Sequence, residues 1–109
     1  MDNSEYLGCV DEILNKIDEA LDDLDLDIDL EMGDGKLIIV FDDNQQCILS
    51  RQRATQQLWL AEPGGGWHYD LKDGQFICDK RGLEILKTLE ILLSEKLSQK
   101  ILLTSSSND

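Results

Sequence analysis

The sequence has few of the residues from which catalytic centres and covalent cross-links are built. Its 109 residues include three cysteines and one histidine. Cys9, Cys47 and Cys78 form no Cys-x-x-Cys pair and are odd in number, which favours reduced thiols that pack as small apolar side chains. A cysteine nucleophile needs a base beside it, and nothing in the sequence places His68 near any of the three. The sequence therefore gives little support to an enzyme.

Basic residues and long apolar runs are also scarce. Ten Lys and Arg stand against 23 Asp and Glu, so the formal net charge is −13 at pH 7 and the pI is near 4.2. Long-range repulsion argues against binding to nucleic acid or to an anionic membrane, and it makes cations and basic protein surfaces the natural partners. No stretch approaches the roughly 18 consecutive apolar residues of a membrane span, and the N-terminus has neither a signal-peptide nor a transit-peptide pattern. We therefore expect a cytoplasmic protein.

Nearly all of the excess negative charge lies in the first third of the chain. Residues 1–34 contain 13 acidic residues and one base, Lys16, whereas residues 35–109 contain ten acids and nine bases. A charged face is most simply a solvated face, but such a face normally mixes the two signs. Like charges four residues apart on a helix, such as those of Asp18 and Asp22, each cost roughly 0.2–0.5 kcal/mol. We therefore infer that a cation, a basic protein surface or both offset this repulsion.

The acidic segment predicts a helix followed by a strand. From about Ser4, apolar residues recur every three or four positions, and the expected core stripe is Tyr6, Val10, Ile13, Ile17, Ala20 and Leu24. From Asp25 to Met32 acidic and apolar residues alternate instead, which is typical of a half-buried strand. The side chains expected to point inward are those of Leu26, Ile28, Leu30 and Met32. Exposed carboxylates also protect an edge strand from unwanted pairing, so we expect this strand at an edge of the sheet.

The rest of the chain predicts a meander of short strands and a second helix. Turn residues separate strands expected over residues 36–41, 45–50, 56–61, 67–71 and 75–78. The 3.6-residue period returns from Leu83 to Leu97 as a helix, and residues 101–103 are expected to pack against the helices. We therefore predict an α+β fold, with two helices packed on one face of a five- to six-stranded antiparallel sheet in the order α-β-β-β-β-β-β-α. Residues 1–104 would form a single domain and residues 105–109 a flexible tail.

Alternation within the fourth strand decides which side chains face solvent. It places Leu58 and Leu60 on one face and Trp59 on the other, so Trp59 is expected on the free face of the sheet. A register shifted by one residue would bury Trp59 instead. His68 lies between two aromatic residues and is expected to point outward as a surface histidine rather than a metal ligand.

Carboxylates without a histidine or thiol cluster are hard oxygen ligands. They suit Mg, Ca, Mn or ferrous and ferric iron better than Zn or Cu(I), and sites on exposed helix positions should be open and weak. Asp25, Asp27 and Asp29 fit positions 1, 3 and 5 of a calcium-binding EF-hand loop. However, Leu30 stands where that loop needs glycine and Lys36 where it needs glutamate, so the EF-hand is excluded.

Four motifs together resemble the bacterial frataxin family, the CyaY family. They are residues 18–25 (Asp-Glu-Ala-Leu-Asp-Asp-Leu-Asp), 57–61 (Gln-Leu-Trp-Leu-Ala), 65–70 (Gly-Gly-Trp-His-Tyr-Asp) and 77–79 (Ile-Cys-Asp), and their order and spacing match over nearly the whole chain. The family fold is a helix, an antiparallel sheet and a second helix packed as an α/β sandwich. Ser50 and Ala54 stand where the family has asparagine and proline.

The resemblance implies an iron-binding protein of iron–sulfur cluster assembly, which binds Fe2+ and Fe3+ weakly on an acidic ridge; other divalent or trivalent cations could substitute. Such proteins dock on a cysteine desulfurase and its scaffold protein, to deliver iron or to regulate cluster production. Carried over by position, the acidic ridge is Asp11, Glu12, Asp18, Glu19, Asp22, Asp23, Asp25, Asp27, Asp29 and Glu31. The partner-binding sheet patch is Gln52, Gln57 and Trp59. A monomer is expected, which metal could drive to associate; the alternative function is an acidic protein-binding regulatory module with incidental metal affinity.

Overall fold

The two helices and the strand meander predicted from the sequence are present in the computed structural model, which describes residues 3–103. The elements are α1 (Asn3–Asp23), β1 (Ile28–Gly33), β2 (Lys36–Phe41), β3 (Gln46–Gln52), β4 (Gln57–Glu62), β5 (Gly65–Lys72), β6 (Gln75–Cys78) and α2 (Ile85–Leu97). The tail predicted over residues 105–109 lies outside the described residues.

The sheet has six strands in sequence order, and every neighbouring pair is antiparallel. β1 is therefore an edge strand, as its carboxylates predicted. A two-residue turn of Asp34 and Gly35 joins β1 to β2. Gly35 has φ +68°, a left-handed conformation that glycine adopts without a steric penalty, so this turn favours glycine.

α1 packs its apolar stripe against the sheet, although the stripe is not quite the predicted one. Its fully buried residues are Tyr6, Val10, Leu14, Ile17 and Leu21, each at most 2% exposed. Ile13 and Ala20 are half-buried at the margins of the stripe. The prediction for Leu24 was wrong: its side chain is 42% exposed, because the helix ends at Asp23 and the chain turns away through Asp25 with φ 52°.

The first strand is shorter than its alternating sequence predicted. It begins at Ile28 rather than Asp25, and Met32, expected inside, is 41% exposed. An edge strand has a neighbour on one side only, so its apolar side chains are covered incompletely. Ile28 and Leu30 are accordingly half-buried.

β2 and β6 have the predicted boundaries, and those of β3, β4 and β5 differ from the prediction by one or two residues. Two differences, one at β5 and one at α2, have a clear cause. β5 begins at Gly65, inside the predicted loop, because Gly65 pairs with Glu62 across a turn of Pro63 and Gly64. α2 begins at Ile85 instead of Leu83, since the Leu83 carbonyl accepts a hydrogen bond from the Cys78 amide at 2.8 Å and continues the edge of β6.

Two of the three residues of the C-terminal segment pack against the helical layer, as expected, whereas the prediction for Leu102 was wrong because it is 53% exposed. Ile101 and Leu103 are 2% and 8% exposed. The Leu103 amide donates to Glu90 Oε2 at 2.6 Å, and the Ile101 amide donates to Ser94 Oγ at 3.0 Å. The segment is thus anchored to α2 by both apolar packing and hydrogen bonds.

All three cysteines are free thiols, which confirms the prediction. Cys47 and Cys78 are buried and Cys9 is half-buried. Burial raises the pKa of the Cys47 thiol to about 11, and the Glu62 charge acts in the same direction. A thiol with such a pKa stays protonated at neutral pH and is a poor nucleophile.

Candidate functional site

The ten carboxylates of the predicted acidic ridge lie along α1, the connection that follows it, and β1. Asp18 is half-buried and the other nine carboxylates are exposed. Asp25 and Asp27, predicted in the strand, lie in the connection between α1 and β1. Only four residues separate the end of the acidic helix from the start of the edge strand.

No ridge carboxylate is neutralised by a base within the described part of the chain. The ion pairs of residues 3–103 are Arg51–Asp34, Lys87–Glu90 and Lys96–Asp43, and His68 lies near Asp79. None of these contacts involves the ridge. The ridge charges therefore repel one another across an exposed surface. Dissolved salt weakens this repulsion by screening.

The ridge carboxylates do not converge on a preformed metal centre. Across residues 3–103, no three His, Cys, Asp or Glu side chains are placed to hold a metal ion together. A cation on the ridge would therefore be held by one or two carboxylates and would keep most of its water, which is characteristic of weak and exchangeable sites.

The sheet patch lies on the free face of the sheet, opposite the helices. Leu58 and Leu60 are buried while Trp59 is half-exposed, so the predicted register of β4 is confirmed and the shifted register is excluded. Gln52 is directly opposite Gln57 in the β3–β4 pair. Gln52, Gln57 and Trp59 are therefore neighbours on one surface.

Hydrogen bonds hold the polar groups of the patch in fixed orientations. The Trp59 indole N–H donates to Gln57 Oε1 at 2.8 Å, and Gln57 Nε2 donates to Asp70 Oδ1 at 3.0 Å. On the neighbouring strand, Gln52 Nε2 donates to Ser50 Oγ at 3.3 Å. The Trp59 indole is thus held in one orientation by its hydrogen bond to Gln57.

His68 completes the patch by stacking on Trp59. The two rings are 4.3 Å apart between centroids and 15° from parallel. His68 Nδ1 lies 4.0 Å from Asp79 Oδ2. His68 is exposed, as predicted, and belongs to no metal-binding cluster among residues 3–103.

Sequence reasoning missed Ser50, His68 and Asp70 as members of the patch. Alternation within β5 shows that His68 and Asp70 share a face. Their pairing with Trp59 and Gln57 depends on the β4–β5 register, which no local pattern specifies.

Tyr6 joins the ridge helix to the strands of the patch. Its buried hydroxyl donates to the Gln57 carbonyl at 2.6 Å and accepts from the Gln52 amide at 3.0 Å. Burial raises the pKa of Tyr6, so the hydroxyl remains protonated and can serve as this donor.

An apolar strip separates the ridge from the patch on the free face. Asp29 and Glu31 pair with Val40 and Ile38, and Ile38 pairs in turn with Ile48. These three aliphatic side chains are half-buried. The free face therefore passes from carboxylates through aliphatic residues to the aromatic patch.

Neither helix of the described range is long and apolar enough to cross a membrane.

A family model described as a frataxin-like domain matches residues 1–101. The chain belongs to the frataxin-like family. Two relatives are named iron–sulfur cluster assembly protein CyaY. The one from Vibrio vulnificus is 43% identical over 84 residues, which cover 77% of this chain and 81% of the relative. The one from Vibrio cholerae is 39% identical over 90 residues, which cover 83% and 86%.

Solved structures of the family share the fold. Frataxin from Psychromonas ingrahamii matches with a TM-score of 0.90 and 28% identity, covering 96% of this chain and all of that one. Trimeric frataxin from the yeast Saccharomyces cerevisiae, described as complexed with ferrous, matches with a TM-score of 0.73 and 22% identity, covering 84% and 87%. The α+β fold predicted from the sequence is therefore the family fold.

Proposed function

We propose that this protein serves iron–sulfur cluster assembly by binding Fe2+ and Fe3+ weakly on the acidic ridge and by docking on the cysteine desulfurase and its scaffold protein. It would bring them iron or regulate their output. The observation that carries this is a strip of ten carboxylates without one ion pair to a base among the described residues. The relatives' names supply the pathway.

The openness of the ridge supports carriage or sensing rather than storage. Hard oxygen ligands suit both oxidation states of iron, and a cation held by one or two exposed carboxylates leaves easily. Other divalent or trivalent cations should compete, because hydrated sites select poorly by geometry. At 22% identity, the yeast protein described as complexed with ferrous supports the fold of this chain only. The proposal of iron binding is therefore based on the carboxylates of this chain.

Two surfaces of different chemistry support two kinds of contact with protein partners. The ridge would steer a basic surface into contact by long-range attraction. The patch presents a partly exposed tryptophan in a fixed orientation, and tryptophan is prominent among the residues that dominate binding energy at interfaces. We assign the ridge to the desulfurase and Gln52, Gln57 and Trp59 to the scaffold, in the cytoplasm, with a monomer as the resting state.

The proposal is one of binding, not catalysis. Within residues 3–103 the ridge carboxylates are not gathered into a metal centre that could hold iron and oxygen together. We therefore expect Fe2+ to be oxidised in the presence of the protein at the same rate as in buffer. A clear acceleration that disappears with the ridge carboxylates would establish a ferroxidase instead.

The experiment is a titration with Fe2+ under argon, followed by backbone amide NMR. Paramagnetic broadening should be confined to α1, β1 and the connection between them. The ridge variant Asp18→Asn/Asp22→Asn should weaken the broadening, whereas Asp73→Asn/Glu95→Gln removes the same charge from exposed positions outside the ridge and should not. Broadening spread evenly over the surface would contradict the proposal.

A second titration separates the proposal from the regulatory alternative. Adding the desulfurase and then the scaffold should perturb the ridge first and the patch second. The regulatory module gains support if charge reversal at Asp18, Glu19, Asp22 and Asp23 abolishes desulfurase binding while iron still binds at the other ridge positions.

A further inference from the structure

One edge of the sheet is closed and the other is open. At β6, Glu84 forms a β-bridge with Ile77, and the Cys78 amide donates to the Leu83 carbonyl at 2.8 Å. At β1, no segment of residues 3–103 pairs with the outer side of the strand. Unpaired strand edges are templates for the addition of another strand.

The register shows which backbone groups of β1 bond to β2. The Phe41 amide donates to the Gln45 carbonyl at 2.9 Å, so Phe41 faces β3 and the preceding Val40 faces β1. Val40 pairs with Asp29. Because the pattern alternates, Asp29 and Glu31 carry the hydrogen bonds of the β1–β2 ladder.

The N–H and C=O groups of Leu30 and Met32 consequently point out of the sheet. No hydrogen bond within the described residues uses these four groups. The Ile28 amide, which faces the same way, is taken by the Leu26 carbonyl at 2.8 Å. The open part of the edge thus begins at the Ile28 carbonyl and extends to Met32.

The side chains on the two faces of this edge differ in kind. Asp29 and Glu31 are exposed on the free face, whereas Leu30 is half-buried and Met32 is 41% exposed on the helical face. Leu24, at the end of α1, is 42% exposed. An added strand would therefore meet carboxylates on one face and uncovered apolar side chains on the other.

We propose that the open edge of β1 binds an extended segment of a partner protein in which basic and apolar residues alternate, added as a seventh, antiparallel strand. Its basic side chains would lie beside Asp29 and Glu31, and its apolar side chains would cover Leu30 and Met32. The proposal rests on the docking role proposed for the acidic ridge and adds the conformation and residue pattern of the partner segment. A second copy of this chain does not fit, because its own β1 would bring like charges together.

The carboxylates that prevent self-association also select this partner. Like charges directly opposite each other in a strand pair are destabilising, whereas opposite charges are favourable. The same two residues therefore reject an acidic strand and attract a basic one, and the backbone groups of Leu30 and Met32 supply hydrogen bonds in either case.

The test titrates three capped heptapeptides, each made of four lysines and three valines, into the 15N-labelled full chain. The first alternates lysine and valine, the second groups four lysines before three valines, and the third repeats the first with N-methylated valines. In antiparallel pairing the valine amides face Leu30 and Met32, so methylation removes those hydrogen bonds and keeps the charge. The alternating peptide should slow amide exchange of Leu30 and Met32 about tenfold, and the other two should bind about tenfold more weakly.

Unchanged exchange at Leu30 and Met32, or equal affinity of the N-methylated peptide, would overturn the inference and leave simple charge attraction. Met32→Pro, compared with Met32→Leu, tests it from the protein side, because proline there removes only an outward N–H and edge strands tolerate it. The peptide comparison on the unmodified chain stands if the proline variant fails to fold. A Fe2+ titration of the same sample separates the two proposals. If Fe2+ does not broaden the ridge amides but the peptide still slows exchange at Leu30 and Met32, only the iron-binding proposal is refuted. If Fe2+ broadens the ridge amides but the peptide does not slow this exchange, only the seventh-strand proposal is refuted.

Discussion

The acidic ridge and the sheet patch are both exposed surfaces, yet they are built in opposite ways. The ridge gathers ten carboxylates that have no ion-pair partner among residues 3–103, whereas the patch bonds Trp59, Gln57 and Asp70 to one another. The unpaired ridge carboxylates repel one another, and a bound external cation would reduce this repulsion. Groups that are already bonded offer a fixed shape instead. Binding at the ridge should therefore depend on ionic strength, whereas binding at the patch should depend on the shape of the partner surface.

The largest expected effect concerns partner binding at the patch. Trp59→Ala should weaken binding to the scaffold protein by about 2–4 kcal/mol, because the stacked, hydrogen-bonded indole is the rigid anchor of this surface. Isothermal titration calorimetry measures the loss. The effect should persist at high salt, in contrast to binding at the ridge.

His68→Ala is the matched control for Trp59→Ala. It removes the stacking partner but leaves the indole and its hydrogen bond to Gln57, so binding should fall by less. A loss equal to that of Trp59→Ala would mean that the stacked pair, not the indole, anchors the partner.

The next effect joins the two regions. Tyr6→Phe removes a buried hydroxyl that bonds both the Gln57 carbonyl and the Gln52 amide, and the unpaired groups should lower the free energy of unfolding by about 1–3 kcal/mol. Denaturant unfolding measures it. Amide shifts should change in both α1 and the patch if Tyr6 couples them.

Tyr69→Phe is the control for this prediction. The Tyr69 hydroxyl is also buried but makes no hydrogen bond within the described residues; Thr88 beside it donates its own hydroxyl to the Glu84 carbonyl. Its removal should leave stability nearly unchanged or raise it slightly. Equal losses in the two variants would show that the loss at Tyr6 does not come from the two hydrogen bonds of its hydroxyl.

A smaller effect is the stabilisation of the fold by metal. A cation that binds only the folded state, present at tenfold its dissociation constant, should add about 1.4 kcal/mol to the free energy of unfolding. The melting temperature should rise with millimolar divalent metal. No rise would count against cation binding at the ridge.

The smallest effect has the opposite sign to those at the patch. Neutralising Asp18/Asp22 and Glu19/Asp23 to their amides removes two like-charged i,i+4 pairs, so the variant should be more stable by about 0.4–1 kcal/mol at low salt. The gain should shrink as salt screens the parent ridge. Thermal unfolding at two ionic strengths measures it, and a less stable variant would show that these carboxylates have structural partners.

The ridge was easier to predict than the patch because its information is local. Charge, the helical period of residues 11–23 and the alternation of residues 25–31 identify the exposed carboxylates without knowledge of the rest of the chain. The burial predictions for Leu24 and Met32 failed, because Leu24 lies beyond the end of α1 and Met32 lies on an edge strand. Their burial depended on surroundings that the local pattern does not contain.

The sequence by itself determined the order of the elements, the edge position of β1 and the outward face of Trp59, since periodicity follows from backbone geometry. Only the tertiary structure decided that His68 stacks on Trp59, that Asp70 orients Gln57, and that the amides of Leu30 and Met32 remain unpaired. These features depend on which strands pair and in which register. Register is fixed by the packing of the whole sheet on its helices, so no single segment can specify it.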